Sequence, residues 1–244
     1  MTDGAAETAV AMLLTTRRAP IYGLGIAKCG CTWLKNLFWL VDHGRPHPDP
    51  LNIHRTQDVD LVRPSGVTAD EVAQSGMAFA LVRDPADRLA SLYFDKAIGP
   101  RAFPWLRARL LDRGAPPDPG DDPGLHAQAF DVLLREVAAS AAGAPGALTL
   151  NPHWRPQAAR LRRAAPLGLR LLPLPLATAR ISTMLAPAIP DIDALLAVVP
   201  ARNASRRAIP AAALLTPTMR ARIDAIYPRD RDLYDSALRA ETAP

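Results

Sequence analysis

Twice in this 244-residue chain an apolar run stands directly before a helix start, and that order leaves an α/β sheet as the natural fold. Residues 21–26 read as a strand that runs into a turn of glycine, lysine and small residues, and residues 32–42 then read as a helix with a broad apolar face. Residues 77–82 form a second apolar run, the mark of a strand buried on both faces; Asp84 and Pro85 then suit the N-cap and first position of a helix over 85–97. A strand-to-helix turn of the first kind aims main-chain N–H groups and the positive helix end at one spot. A phosphate or sulfate is its natural occupant, and Lys28 adds a movable full charge.

The rest of the chain continues the alternation. Residues 169–176 are a third strand candidate, which Pro173 and Pro175 confine to a sheet edge or an extended loop. Helices are expected over 125–141, 178–186, 191–199 and 217–227. The fold class expected is α/β: one P-loop-like doubly wound domain over 1–244, with a central parallel sheet flanked by helices. Within it, residues 1–19 are expected as a flexible N-terminus. Residues 112–124, where four prolines mix with aspartates and glycines, are expected as a mobile loop that is either a surface insertion or a lid.

Composition gives Lys28 its weight. Only three of the 29 basic residues are lysines, Lys28, Lys35 and Lys96, so arginine supplies most generic positive charge. A flexible ammonium follows a moving oxygen in a way a planar guanidinium does not. Net charge +5 fits a multiply charged nucleotide and an acidic acceptor, and equally a nucleic-acid binder. Against nucleic acid, aromatics are 5% and no helix-turn-helix, zinc-finger or RNA-binding signature is present. The basic run 155–163 reads as a solvated face that could guide an anionic acceptor. Cys29 and Cys31, two apart in one turn, form neither a disulfide framework nor a zinc site, and read as small residues in a crowded loop.

The order Lys-x-Gly-x-Thr-Trp-Leu-Lys over residues 28–35 departs from the nucleotide P-loop, where lysine directly precedes the hydroxyl residue that binds magnesium. It resembles the 5′-phosphosulfate loop of the sulfotransferases, which use 3′-phosphoadenosine-5′-phosphosulfate (PAPS) and need no metal for the transfer. Arg83, at the end of the second strand, and Ser91, about two turns into its helix, resemble that family's 3′-phosphate site. Three further stretches are similar to the carbohydrate sulfotransferases related to the chondroitin 4-O and HNK-1 enzymes: Asn151-Pro-His-Trp-Arg-Pro-Gln157, Asn203-Ala-Ser-Arg-Arg207 and Ile223 to Tyr234. The resemblance covers roughly residues 20–236.

That resemblance implies a PAPS-dependent sulfotransferase acting on a hydroxyl of a carbohydrate or small molecule. Lys28, Cys29, Gly30, Cys31, Thr32 and Trp33 would surround the phosphosulfate, Arg83 and Ser91 the 3′-phosphate, with Asn203, Ser205 and Arg206 also on the nucleotide. Lys28 would stabilise the leaving group. His54 is the first choice for the base that takes the acceptor proton, and His153 is the rival or an acceptor ligand; His43, His47 and His126 read as surface residues. No metal is expected. Two positions depart from the family pattern: Ala27 stands where proline is usual, and Cys31 where serine or threonine is common. The N-terminal stretch carries acids and is too short to span a membrane, so a soluble, cytoplasmic protein is expected, of open oligomeric state. The competing classes are a P-loop kinase, which needs magnesium ligands this loop lacks, and a non-catalytic anion- or nucleic-acid-binding domain, which leaves Lys28 and Arg83 unexplained.

Overall fold

The two apolar runs become the central strands of one sheet. A computed structural model describes residues 3–54, 61–199 and 209–242; Asn203, Ser205 and Arg206 lie outside the described residues. In chain order the elements are helix α1 (Asp3–Val10), strands β1 (Leu14–Thr15) and β2 (Tyr22–Leu24), helices α2 (Cys31–His43) and α3 (Ala69–Gln74), and strand β3 (Ala78–Val82). Helices α4 (Pro85–Leu92), α5 (Pro104–Asp112), α6 (Pro123–Ala141) and α7 (Gln157–Arg163) follow, then strand β4 (Arg170–Pro173). Helices α8 (Ala177–Leu185), α9 (Ile192–Val198), α10 (Ala211–Leu214), α11 (Pro217–Ile226) and α12 (Pro228–Thr242) complete the chain. These elements group into two compact units, one drawn from Met1–Val82, Gln157–Asn203 and Tyr234–Pro244, the other from Arg83–Pro156 and Ala204–Leu233.

The first unit holds the sheet. Strand order is β1-β2-β3-β4; β2, β3 and β4 run parallel, with Leu24 beside Ala80 and Ala80 beside Leu171, while β1 is antiparallel to β2. Side chains alternate along β3, so Phe79 and Leu81 pack with α2, α8 and α9, whereas Ala78 and Ala80 pack with α1 and Val72 of α3. Helices therefore cover both faces of a mixed, mostly parallel sheet. The doubly wound expectation needs one correction: strand order follows chain order without reversing, so the switch point of a doubly wound sheet is missing among the described strands. The third strand, β4, lies at the edge, where a strand ending in Pro173 can lack a donor. Residues 1–19 contain α1 and β1, and Ala9 and Leu13 are fully buried.

The second unit is helical. Leu89, Leu92 and Tyr93 pack against Leu106 and Leu110 of α5, Phe130, Leu133 and Val137 of α6, and Ile223 and Tyr227. The helix expected over 85–97 is α-helical only to Leu92; Tyr93–Ala97 is a π-helical turn, closed by Ile98 N–H donating to the Tyr93 carbonyl at 3.2 Å. Gly99 follows because a Cβ there would lie 2.1 Å from the Phe94 carbonyl oxygen. Between α5 and α6 the proline-rich stretch forms no regular element, yet it is tied down. Ala115 joins the core, Asp122 caps α6 through the Gly124 and Leu125 amides, and the Gly120 carbonyl lies 3.1 Å from His126 Nε2. His126 thus corrects the surface reading: it is fully buried, with Nδ1 2.9 Å from the Tyr93 hydroxyl. His47 is buried as well, edge-on to Trp39.

Candidate functional site

Beyond β2 the chain makes the turn Gly25 to Gly30 and enters α2. Lys28 adopts φ 66°, the one positive φ outside glycine among the described residues. Holding an L-residue there costs about 1–2 kcal/mol, and such strain persists where the surroundings over-determine the backbone. Gly30 follows at φ 82°, and a Cβ on it would stand 2.7 Å from Leu174 and 3.2 Å from Leu81. Both conformation and space demand glycine. As the N-cap of α2, Gly30 places no side-chain oxygen on the first-turn amides, whereas Asp84 caps α4 and Asp122 caps α6. The positive end of a 13-residue helix is thereby left to be complemented by an anion.

His54 stands at this helix end. Its Nε2 lies 2.8 Å from the Thr32 hydroxyl and 3.8 Å from Cys31 Sγ. The loop that carries it is fixed from α2: Asn36 Nδ2 donates to the Thr32 carbonyl at 2.9 Å and the Pro50 carbonyl at 3.0 Å, and Ile53 is sunk in the core. Trp33 is a core side chain, packed with the apolar face of α2 and away from the turn surface.

Helix α7 braces the turn from the other side. Cys29 Sγ donates to Gln157 Oε1 at 2.9 Å, with both side chains buried, and Arg160 Nε donates to the Gly25 carbonyl at 3.1 Å. The solvated-face reading of residues 155–163 is accordingly corrected: Arg162 and Arg163 are exposed, but Gln157 and Arg160 hold the lysine turn. Asn36, Gln157 and Arg160 are the residues that sequence reasoning left unassigned. Asn36 carried a signal, standing one helical turn after Thr32; for the other two the partners lie 128 and 135 residues away.

In the helical unit, Arg83 is half-buried where the chain enters α4 directly after β3, and Ser91 is buried on α4. The carboxylate of Asp84 accepts from the amides of Ala86 and Asp87 and pairs with Arg231 at 2.6 Å. Burial pulls the Arg231 pKa down, but its bonds to Asp84 and Asp224 outweigh that and leave it raised. This ties the closing stretch of the chain to the start of α4.

His153 is mounted in the same unit with its tautomer decided. Asn151 Oδ1 accepts from the His153 amide at 3.0 Å and lies 2.7 Å from His153 Nδ1. An oxygen that accepts from a main-chain N–H also accepts from Nδ1–H, so the neutral ring keeps its basic lone pair on Nε2. Three carbonyls of the segment are gripped. Arg88 Nη2 donates to those of Pro152 and Arg155 at 3.2 and 2.9 Å, and the Tyr227 hydroxyl donates to that of Trp154 at 2.6 Å. Burial, chiefly, raises the Tyr227 pKa, with Asp230 reinforcing and Arg88 opposing, so the phenol keeps the proton it donates. Arg88 Nη1 lies 4.0 Å from Asp230, and both side chains are almost wholly buried.

Lys28, Gly30, Thr32 and His54 thus converge in the sheet unit, and Arg83, Ser91 and His153 belong to the helical unit. Among the described residues no cluster of histidine, cysteine and acidic side chains could hold a metal ion, and no helix is long and apolar enough to cross a membrane. Compared with family models, residues 12–162, more than half of the chain, match the one described as the sulfotransferase family. No curated protein and no solved structure matches the chain.

Proposed function

Since the chain belongs to the sulfotransferase family, we propose that it moves a sulfuryl group from PAPS to a hydroxyl of a carbohydrate or glycosylated small molecule. The observation that carries this reading is the strained Lys28 beside the uncapped start of α2, a cradle whose charges suit a phosphosulfate. Lys28, the amides from Gly30 to Trp33 and the Thr32 hydroxyl would hold the phosphosulfate, and Arg83 and Ser91 the 3′-phosphate. Asn203, Ser205 and Arg206 are assigned to the nucleotide on the resemblance alone.

In the transfer the acceptor oxygen forms a bond to sulfur as the bond from sulfur to the bridging oxygen breaks, and the desulfated nucleotide leaves with the extra negative charge. Lys28 faces that growing charge. The acceptor proton goes to a base. We assign it to His54: in the Nδ1–H tautomer its Nε2 accepts, and a Thr32 hydroxyl that gives its one proton to the anion does not compete for that lone pair. His153, with its lone pair on Nε2, would accept a hydrogen bond from the acceptor and hold it. No metal takes part in this scheme, and a phosphoryl-transfer reading would require magnesium ligands in the loop.

Equilibrium titration tests the reading. PAPS is expected to bind without magnesium, and magnesium-ATP to compete poorly. Arg83→Ala should weaken PAPS about ten- to a hundredfold and adenosine 5′-phosphosulfate, which lacks the 3′-phosphate, hardly at all. Equal loss for both nucleotides would remove Arg83 from that role, and tight magnesium-ATP binding would favour a kinase.

The histidines separate in the pH profile of turnover. His54→Ala should lose the acidic limb while keeping nucleotide affinity, and His153→Ala should keep the limb while raising the KM for acceptor. The opposite pattern would transfer the role of base to His153.

A further inference from the structure

We infer that the helical unit carries a second anion site, a cavity between α5 and α6 that takes a compact diphosphate, either free pyrophosphate or the diphosphate of a small ester. The cavity measures about 320 Å³, within the range of small-ligand clefts, and its polar lining is Arg109 and Arg113 at the end of α5 and Arg135 and Glu136 of α6, closed by the turn at Gly146. None of these residues belongs to the lysine turn, to the Arg83 and Ser91 pair or to the His153 segment.

A buried carboxylate builds the cavity. Glu136 Oε2 lies 2.8 Å from Arg109 Nε and Glu136 Oε1 3.2 Å from Arg113 Nε, so one residue of α6 orients two guanidiniums that stand one helical turn apart. Arg109 is completed by the Gly146 carbonyl, which accepts from Nη2 at 2.6 Å; Gly143 and Gly146, at φ 66° and 69°, turn the chain back after α6 to bring that carbonyl there. Arg113 and Arg135 are held more lightly. Each approaches a carboxylate through Nε, at 3.2 Å from Glu136 and 3.2 Å from Asp131, and among the described residues neither gives an Nη hydrogen bond to the protein. The carbonyls of Ala138, Ala139 and Ser140 at the end of α6 already accept from the Ala142, Ala144 and Gly143 amides, so they do not compete for those forks.

Charge selects the ligand. Four guanidiniums, counting Arg222 on Asp131, meet the two carboxylates Glu136 and Asp131, which leaves two positive charges in surplus; Asp112, next to Arg113 in the chain, does not line the cavity. The carbonyl end of α5 accounts for Arg109 and Arg113 as cations near a helix C-terminus, but Arg135 stands nearly two turns before the end of α6. Two guanidinium forks and a surplus of two charges suit two adjacent anionic groups, and phosphoryl oxygens take fork bonds in pairs. The remaining wall is aliphatic, with Val132, Ala139 and Pro145 and no aromatic ring, so a nucleobase finds nothing to stack on and the diphosphate alone carries the recognition.

Amide NMR on the whole protein, titrated with pyrophosphate at fixed ionic strength, tests the site. Pyrophosphate should shift the Gly146 and Ala147 signals, and inorganic phosphate should bind there about tenfold or more weakly. Adenosine diphosphate should bind no more tightly than methyl diphosphate, and the tighter of methyl diphosphate and pyrophosphate names the source of the group. Arg113→Ala and Arg135→Ala should each weaken pyrophosphate about ten- to a hundredfold at these signals, and Arg113→Lys should retain part of the affinity. Both side chains are more than half exposed, at 52% and 61%, so the variants should keep the native urea midpoint, which also reports that they fold. Gly146 and Ala147 signals that do not move in the native protein, shifts that survive in both alanine variants, or equal shifts from chloride at the same ionic strength would overturn the site. The Gly30 amide reads the lysine turn in the same spectra, so a protein that shifts at Gly146 with pyrophosphate and not at Gly30 with PAPS would keep this cavity and sink the proposed transfer.

Discussion

Lys28→Ala should lower turnover by about 10²–10³-fold while the affinity for the desulfated nucleotide falls far less, because removing one pre-aligned stabiliser of transition-state charge has that scale of effect. The comparison is unusually clean. Lysine and alanine both carry a Cβ, so both are strained at φ 66°, and the substitution removes the ammonium without relaxing the turn. Lys28→Arg should recover little, since a planar guanidinium does not follow a moving oxygen from the same backbone position. Single-turnover rates alongside nucleotide titrations make the check. Unchanged turnover, or an affinity loss as large as the rate loss, would take Lys28 out of the chemistry.

Arg88→Ala should cost about 3–5 kcal/mol of stability, the usual result of removing one member of a buried ion pair. The deeply buried Asp230 would lose one of its partners, and the Pro152 and Arg155 carbonyls would lose a donor together. Urea unfolding measures the loss. Arg88→Lys, which keeps the charge but not the forked geometry, should fall between the two proteins. A double variant that replaces Arg88 and Asp230 by apolar residues should recover much of the lost stability while leaving the His153 segment less firmly held. Midpoints for Arg88→Ala close to those of the native protein would show that the 4.0 Å pair adds little.

What could be read in advance follows from how far each determinant lies along the chain. The strands β2 and β3 and the helices after them are coded within a few residues, by apolar runs, Gly30 and the Asp84-Pro85 cap, and residues 12–162 belong to the family whose loop Lys28 to Lys35 resembles. The edge position of β4 was legible through Pro173. Helix α3 leaves little apolar pattern in the sequence although Thr68 and Glu71 form a capping box, with the Thr68 amide 2.7 Å from Glu71 Oε2, because Val72 is its one buried residue. Burial of His126 escapes local reading, since it follows directly on the acidic, proline-rich stretch and Tyr93, 33 residues away, encloses it. Strand order likewise has no local code. The brace on Lys28 is the extreme case: Gln157 could be quoted as part of a motif, yet its contact with Cys29 spans 128 residues.

The two outer strands bear on how the protein behaves when concentrated. An open sheet edge offers a row of donors and acceptors on which a strand from another molecule can add, the first step of edge-to-edge aggregation. Here β1 is only two residues long and the Thr15 amide donates to the Val62 carbonyl at 3.0 Å. At the opposite border β4 ends in Pro173, which has no amide hydrogen, and begins with Arg170, whose side chain is bonded to Glu241 at 2.7 and 2.8 Å. Neither border provides the long, regular ladder that a second sheet would need, so the parallel strands that position the lysine turn are shielded from growing into a fibril.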